Sequence, residues 1–461
     1  MSIDYGSTTS THVLTRLRDA LGDAVSTDAA ALESTRADKS GHRSAGAPLA
    51  VVTARTIADV QTTMRIATET GTPVVTRGSG TGLAGGAIAA TGELVLSTLA
   101  MNRILEVSTD DELAVIEPGI INGDLNAVLA TQGLWFAPDP ASKAISTVGG
   151  NIATNAGGLL CAKYGVTREA VLGLKVVLAD GRLLTLGHRT VKGVTGLDLT
   201  ALMIGSEGTL GVIVEATVKL RRLPLDGIAT IAAYFSTVEA AARAASVITS
   251  SGIRPAIMEL LDHQAVAAIS AHLGLATRDA AHLLVNFDGP GAAREADAAL
   301  QVIRSLDGDA ELVTDPVESE RLFQVRRSFH PSLEALGTVL IEDVCVPRSA
   351  LPAMFDALAQ IEKRYEIQIP TVAHAGDGNL HPNFVFELDA DGQVPERVWQ
   401  AADAMFLAAL RLGGTLTGEH GVGILKKRWL GDELGDDQLE LQRQIKAVFD
   451  PHGILNPGKV F

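Results

Sequence analysis

The residues best able to do chemistry stand near position 380, in His374-Ala375-Gly376-Asp377-Gly378-Asn379-Leu380-His381, which interrupts an apolar, strand-like run over 370–386. An Asp-Gly pair between two extended segments predicts a hairpin with a two-residue turn, whose central positions both need positive φ. A turn centred on Asp377-Gly378 sets Gly376 across from Asn379, Ala375 across from Leu380 and His374 across from His381. Directly opposed cross-strand residues have Cβ atoms roughly 5 Å apart, so the two imidazoles could reach one metal ion. Taken alone, the pair reads first as the solvent face of a polar hairpin. A third ligand candidate changes the weighing: Glu419-His420, closely flanked by glycine in Gly413-Gly414-Thr415-Leu416-Thr417-Gly418-Glu419-His420-Gly421-Val422-Gly423. Two neutral imidazoles and one carboxylate, with a coordination position left open, form the ligand set of a catalytic divalent-metal site. Zinc is the first choice, manganese or iron the next. With Glu419 on the metal, His420 is an imidazole beside whatever the metal holds, a candidate general base.

Glycine carries the second signal. The 46 glycines among 461 residues exceed the roughly 7% average and cluster at 77–86, 149–158, 193–211 and 413–423. Such clusters bring backbone close to a ligand or make turns of positive φ, and several in one chain point to a large, phosphate-bearing ligand. Within Arg77-Gly78-Ser79-Gly80-Thr81-Gly82-Leu83-Ala84-Gly85-Gly86, the stretch from Gly80 formally matches the dinucleotide fingerprint. That fingerprint has meaning only where a helix starts and aims its positive end at a pyrophosphate. Here residues 87–91 run into Gly92 and a strand-like 94–97, so a nicotinamide site is set aside. The loop amides, with the Ser79 and Thr81 hydroxyls, can still hold a diphosphate as an anion nest. With further glycine loops at 146–158 and 205–211, an extended dinucleotide such as FAD is the better reading.

The elements that must position these groups fall into two parts. Residues 50–52, a helix from about 57 to 70 and residues 73–76 read as a small βαβ unit feeding the first glycine loop. Strand signals follow at 94–96, 114–116, 171–178, 183–186 and 212–220. After Pro224 the texture changes to regular alternation: strands near 229–235, 256–261, 283–287 and 311–314, helices near 238–249, 264–273 and 292–306. This predicts an α+β layer with helices on one sheet face. The expected domains are residues 1–222, residues 223–446, and a tail, 447–461, that docks back on the first.

Composition excludes several classes. A formal net charge of −16 argues against a nucleic-acid or anionic-membrane surface, either of which needs a basic footprint. Cys161 and Cys345, the two cysteines, make no disulfide framework or metal-ligand spacing, which fits a reducing cytoplasm. Residues 1–11 lack the basic flank and apolar core of a signal peptide. No apolar run is long enough to span a bilayer, so the expectation is a cytoplasmic protein with at most peripheral membrane association.

The loops at 73–86, 138–158 and 205–211, the His374 to His381 motif, Gly418-Glu419-His420-Gly421 and Asn456-Pro457-Gly458-Lys459 together resemble the FAD-linked 2-hydroxyacid dehydrogenase branch of the vanillyl-alcohol oxidase flavoprotein superfamily. That branch includes cytochrome-type D-lactate dehydrogenase, the glycolate oxidase catalytic subunit and D-2-hydroxyglutarate dehydrogenase. The resemblance spans nearly the whole chain in the right order. It implies an α+β fold: a two-subdomain FAD-binding domain plus an α+β substrate (cap) domain with an antiparallel sheet. It implies flavin contacts from Pro73, Arg77, Gly78, Ser79, Gly80, Thr81, Gly82 and Gly85, from Pro138, Ser146, Thr147, Gly149, Gly150, Asn155 and Gly157, from Glu207, Gly211 and Ile213, and from Asn456. Some relatives attach flavin covalently through a His in or near the first loop. Residues 77–86 contain neither His nor Cys, so non-covalent FAD is expected.

Oxidising a 2-hydroxy acid removes a proton from oxygen and passes a hydride from carbon to flavin N5. A metal at His374, His381 and Glu419 would act as a Lewis acid on the hydroxyl, and His420 would take its proton; the resemblance places ligands and base at the same positions. A carboxylate substrate also wants a guanidinium, whose paired donors fit it in two-point geometry. Arg326 matches the family's substrate arginine by its spacing before Glu342-Asp343-Val344-Cys345-Val346-Pro347; the plainer reading is a solvated helix arginine, which suits Arg327. His330, one turn on, either lines the pocket or lies at the surface. Hydroxyglutarate-type relatives carry a Lys two residues before the matching Asp, where this chain has Ile341, favouring a monocarboxylate such as D-lactate or glycolate. The alternatives are D-2-hydroxyglutarate oxidation, non-redox flavin chemistry as in ether-lipid synthesis, and an electron-relay subunit of a larger complex. The electron acceptor stays open among quinone, cytochrome, electron-transfer flavoprotein and oxygen, and a homodimer is allowed.

Overall fold

The computed structural model describes residues 5–224 and 227–461 and divides into two compact units. The first comprises Met1–Gly157, Gly165–Leu223 and Glu419–Phe461. Its helix Ile57–Thr70 starts at a capping box, Thr56 with Asp59, and stops at Gly71 in the left-handed region, the two signals that end a helix cleanly. Val60, Met64 and Ala67 recur at helical spacing and are buried against a sheet in which Leu94–Ser97 lies parallel to both Ala50–Thr53 and Val74–Arg77. Residues 78–93 that follow form no helix. The chain terminus returns here: Val74 N donates to Ile454 O at 2.7 Å and Asn456 N to Val74 O at 2.8 Å.

A second, antiparallel sheet in the same unit runs Ile104–Ser108, Leu113–Ile116, Val212–Lys219, Val171–Val177, Leu183–Gly187. Its apolar face packs with helices Asn122–Ala130 and Val148–Thr154 around Phe136, Leu125, Ile152 and Val176. A further core cluster joins the two sheets, with Val177, Val212 and Val214 of the second packed among Ala50, Val74 and Leu94 of the first.

The second unit is Pro224–Gly418 with Gly158–Tyr164; Lys163 and Tyr164 are pinned into it by the Asp288 carboxylate. An eight-stranded antiparallel sheet forms its centre. Four strands matter below: β1 (Ile257–Leu261), β2 (Val344–Cys345), β3 (Thr371–His374) and β4 (Asn379–Phe386), with helix α1 (Pro316–Arg327). The expectation of helices on one face is corrected. On the face of Thr230, the Ser319 hydroxyl of α1 meets Thr230 Oγ1 at 2.6 Å, and helix His263–Leu273 packs on Leu261 and Val372. On the other face, Ile303 of helix Ala292–Ser305 and Phe235 close around Gly308. The strands are buried on both sides, so both faces are covered. The expected second domain ran over 223–446, whereas Glu419–Phe461 group with the first unit.

Candidate active site

The hairpin forms, with a register that differs from the sequence expectation. Residues 375–378 make a four-residue turn in which Asp377 N and Gly378 N both donate to His374 O, and Asp377 Oδ1 accepts from Asn379 N at 3.1 Å. Gly378 has φ 93, but Asp377 is not in the positive-φ region, so the two-residue turn cannot close. The ladder slips by two: His374 faces Asn379, and His381 faces Val372. Because side chains alternate with period two, an even slip keeps every residue on its face. The histidines become diagonal neighbours, within imidazole reach. Their ring centroids lie 4.9 Å apart in a T-shaped arrangement, and both residues are buried.

Glu419 completes the group: one ligand atom from each of His374, His381 and Glu419 lies within 4.8 Å of the other two. Its position follows from the residues before it. The buried Asp343 carboxylate accepts from Thr417 Oγ1 at 2.9 Å and from Gly418 N at 2.7 Å. A Cβ on Gly418 would stand 2.4 Å from Asn379 Oδ1, so only glycine lets this turn lie against β4. His420 follows, its Nε2 3.9 Å from Glu419 Oε1. The donor set, two imidazoles and a carboxylate, fits a borderline or hard divalent ion.

Arg326 lies at the end of α1 and meets a residue sequence reasoning missed. Glu259, fully buried in β1, is paired directly with His374 across the β1–β3 ladder. Its Oε1 accepts from His374 Nδ1 at 2.6 Å, and its Oε2 from Arg326 Nε at 2.9 Å and Nη2 at 2.7 Å. Burial pushes the Glu259 carboxyl up, but the His374 and Arg326 charges and hydrogen bonds outweigh it and hold the group below its ordinary value. The only sequence signal was one acid inside Ile257-Met258-Glu259-Leu260-Leu261. Arg327 pairs instead with exposed Glu320, and His330 is exposed. Asn383, two residues along β4 from His381, donates from Nδ2 to His381 O at 2.7 Å, while its Oδ1 is buried without a protein donor.

In the first unit, several side chains of the glycine loops are bonded to backbone groups. Arg77, expected at the cofactor, donates from Nη1 to Ala87 O at 2.7 Å and from Nη2 to Ala37 O at 2.9 Å, tying the loop. Thr147 caps Gly150 N, Asn155 Oδ1 accepts from Arg168 N, and Asn456 Nδ2 donates to the carbonyls of Gly86 and Glu207. The Glu207 carboxylate accepts from Val422 N at 2.7 Å and Gly423 N at 2.9 Å, fastening the loop after His420; burial raises its pKa to about 7 against the pull of those amides. Gly78 and Gly149 leave no room for a Cβ, which would stand 2.2 Å from Thr147 Oγ1 and 2.5 Å from Pro118 Cβ. The Ser79 and Thr76 hydroxyls are both buried without a hydrogen-bond partner. Orphaned hydroxyls beside a glycine cradle fit a diphosphate-bearing cofactor.

Residues 48–187 match the family described as FAD binding domain, and residues 227–460 match FAD linked oxidases, C-terminal domain. The chain is 41% identical over 420 residues to glycolate oxidase subunit GlcD of Bacillus subtilis (strain 168), covering 90% of this chain and 89% of that protein. It is 36% identical over 406 residues to a D-lactate dehydrogenase of Archaeoglobus fulgidus, covering 87% and 89%. Among solved structures, p-cresol methylhydroxylase with substrate bound superposes with a TM-score of 0.78 at 17% identity, covering 98% and 97%. Alkyldihydroxyacetonephosphate synthase gives 0.74 at 20%, covering 97% and 85%. At such identities the structural likeness speaks to the fold. Among the described residues, no helix is long and apolar enough to cross a membrane.

Proposed function

This chain belongs to the FAD-linked oxidases, and from that premise we propose that it oxidises a D-2-hydroxy monocarboxylate of the D-lactate type, or glycolate, to the 2-oxo acid with non-covalent FAD and a divalent metal. The observation that carries the reading is the convergence of His374, His381 and Glu419 within 4.8 Å. When bound, FAD supplies the hydride acceptor at N5 and the metal ion supplies Lewis acidity at the substrate hydroxyl.

The chain's own residues do the rest. Arg326 spends its Nε edge on Glu259 and keeps Nη1 and the outer Nη2 hydrogen for the substrate carboxylate, a bidentate end-on grip. His374, His381 and Glu419 would hold the ion, zinc first and manganese or iron next. His420 takes the hydroxyl proton as the carbon–hydrogen bond gives up its electron pair. Ser79 and Thr76 hydroxyls and the amides of the glycine loops bind the cofactor's phosphates. Ile341 stands opposite Asn383 in the sheet, on the face of His381, and as an apolar residue offers nothing to a second carboxylate. Relatives act on small hydroxy acids, as their names state. The electron acceptor is a quinone, a cytochrome or an electron-transfer flavoprotein, and cytoplasmic residence with at most peripheral membrane contact suits any of them.

The test is anaerobic. Purified yellow protein is mixed with D-lactate, L-lactate, glycolate, D-2-hydroxybutyrate and D-2-hydroxyglutarate while flavin absorbance is followed, and metal content is measured alongside. Bleaching by a D-monocarboxylate in protein holding a stoichiometric metal is expected. Flavin that stays oxidised with every hydroxy acid sinks the reading.

A further inference from the structure

We propose that Glu259 is a positioning residue that ties His374 to Arg326, so that one buried carboxylate sets the geometry of the metal site and of the substrate-carboxylate site together. The inference rests on the functional reading above and deepens it.

A carboxylate with no solvent exposure, in the middle of an apolar strand, must have its charge met by partners. Glu259 has no exposure, and its oxygens are divided between two functional side chains: Oε1 takes His374 Nδ1, and Oε2 takes both Nε and Nη2 of Arg326. Asp343, equally buried, spends its charge on a turn, holding Thr417 and Gly418. Glu259 shows no such scaffold bond; its hydrogen bonds run to the site.

On the His374 side, the acceptor at Oε1 keeps the proton on Nδ1. Nε2 is therefore the nitrogen left with a lone pair to offer a metal ion. On the Arg326 side, gripping Nε and Nη2 fixes the guanidinium plane and leaves the other edge to meet a carboxylate squarely. Arg326 sits at the last turn of α1, where an unheld side chain of its length would sample many rotamers. A substrate that bridges metal and arginine needs both at a set separation, and a single rigid carboxylate on β1 supplies it.

Two variants of the flavin-loaded full-length chain separate the roles. Glu259→Gln keeps an acceptor oxygen for Nδ1 but presents an amide N–H₂ to Arg326; Glu259→Ala removes both supports. Zinc and manganese affinities are measured by competition with a chromophoric chelator, and flavin reduction by D-lactate gives KM and the limiting rate at saturating metal. E259A should weaken metal binding about 10–100-fold, the range found when a ligand's orienting partner is lost, and raise KM. E259Q should raise KM while its metal affinity stays near wild type. In both, saturating metal and substrate should return most of the limiting rate. A merely structural role would instead lower FAD content and melting temperature together with every kinetic constant, with no recovery in excess metal, and would overturn the proposal. So would unchanged metal affinity and KM in E259A, or, where E259A yields no flavin-loaded protein, an unchanged KM in E259Q. Wild-type protein that takes up neither zinc nor manganese overturns the functional reading along with this one; metal-binding wild type with unaltered variants overturns this one alone.

Discussion

Adding one methyl group at Gly418 should weaken metal binding at the proposed site without touching a proposed ligand. A Cβ there would lie 2.4, 2.5 and 2.8 Å from Oδ1, Cγ and Nδ2 of Asn379, whereas ordinary non-bonded contact begins near 3.5 Å, so either Asn379 or the turn must move by about 1 Å. Asn379 is 5% exposed and lies in the β3–β4 ladder, which leaves the turn as the softer partner. Moving the turn strains the Gly418 N–H bond to the Asp343 carboxylate, a charge-assisted bond worth about 1.5–3 kcal/mol, and carries the adjoining Glu419 away from His374 and His381. We expect Gly418→Ala to weaken zinc binding about 10–100-fold, equivalent to about 1.4–2.8 kcal/mol, with a folding cost of about 1–3 kcal/mol from overpacking. Chelator competition reads the first and denaturant unfolding the second. The steric origin has its own control: Gly418→Ala combined with Asn379→Ala frees the contested space and should recover most of the metal affinity. Wild-type affinity in the single variant, or no recovery in the double, would refute the account.

Three further outcomes follow from the same geometry. His420→Ala should slow flavin reduction about 10²–10⁴-fold at unchanged FAD content, read by stopped-flow absorbance; near-normal reduction removes it as the base. Ile341→Lys places an ammonium opposite Asn383 and should shift the ratio of kcat/KM for D-2-hydroxyglutarate over D-lactate upward by about tenfold or more, about 1.4 kcal/mol; an unmoved ratio would separate this position from the substrate. Buried His282, its ring centroid 4.6 Å from that of Tyr234 in a tilted arrangement, has its pKa lowered from 6.5 to about 4, burial being the main cause and Arg278 the second. Between those values the unfolded chain binds the extra proton and the folded chain does not, so stability is lost as pH falls from about 6.5 to about 4, by about 3 kcal/mol for a shift of this size. Urea midpoints at pH 7 and pH 4.5 should converge in His282→Phe and diverge in the wild type, and equal losses in both would discount the group.

Much of the fold was legible because its signals are local. The capping box at Thr56 and Asp59, Gly71 at the helix end and the period of Val60, Met64 and Ala67 specify a helix before any tertiary contact. The absence of a helix after the first glycine loop followed from Gly92 and the alternation at 94–97. The hairpin was legible as an element but not in register. Asp-Gly favours a two-residue turn, yet Gly378 lies against the Val346 carbonyl and Gly376 against Ala162, and neighbours of that kind select a longer turn. Only parity survived, and parity alone sufficed to keep both histidines on one face.

The types and order of the chemical groups, two histidines, a glutamate-histidine pair, an arginine and loops stripped of side chains, are properties of the chain itself, because residue identity and local backbone freedom need no partner to be read. Which groups meet was decided in three dimensions. Glu259 stands 115 residues from His374 and 67 from Arg326, and no periodicity encodes an encounter across strands whose order in the sheet departs from their order in the chain. The same holds for Arg77, Asn456 and Glu207, whose side chains the folded structure spends on backbone groups. A buried polar atom takes whatever partner the packing brings, and the packing belongs to the whole molecule.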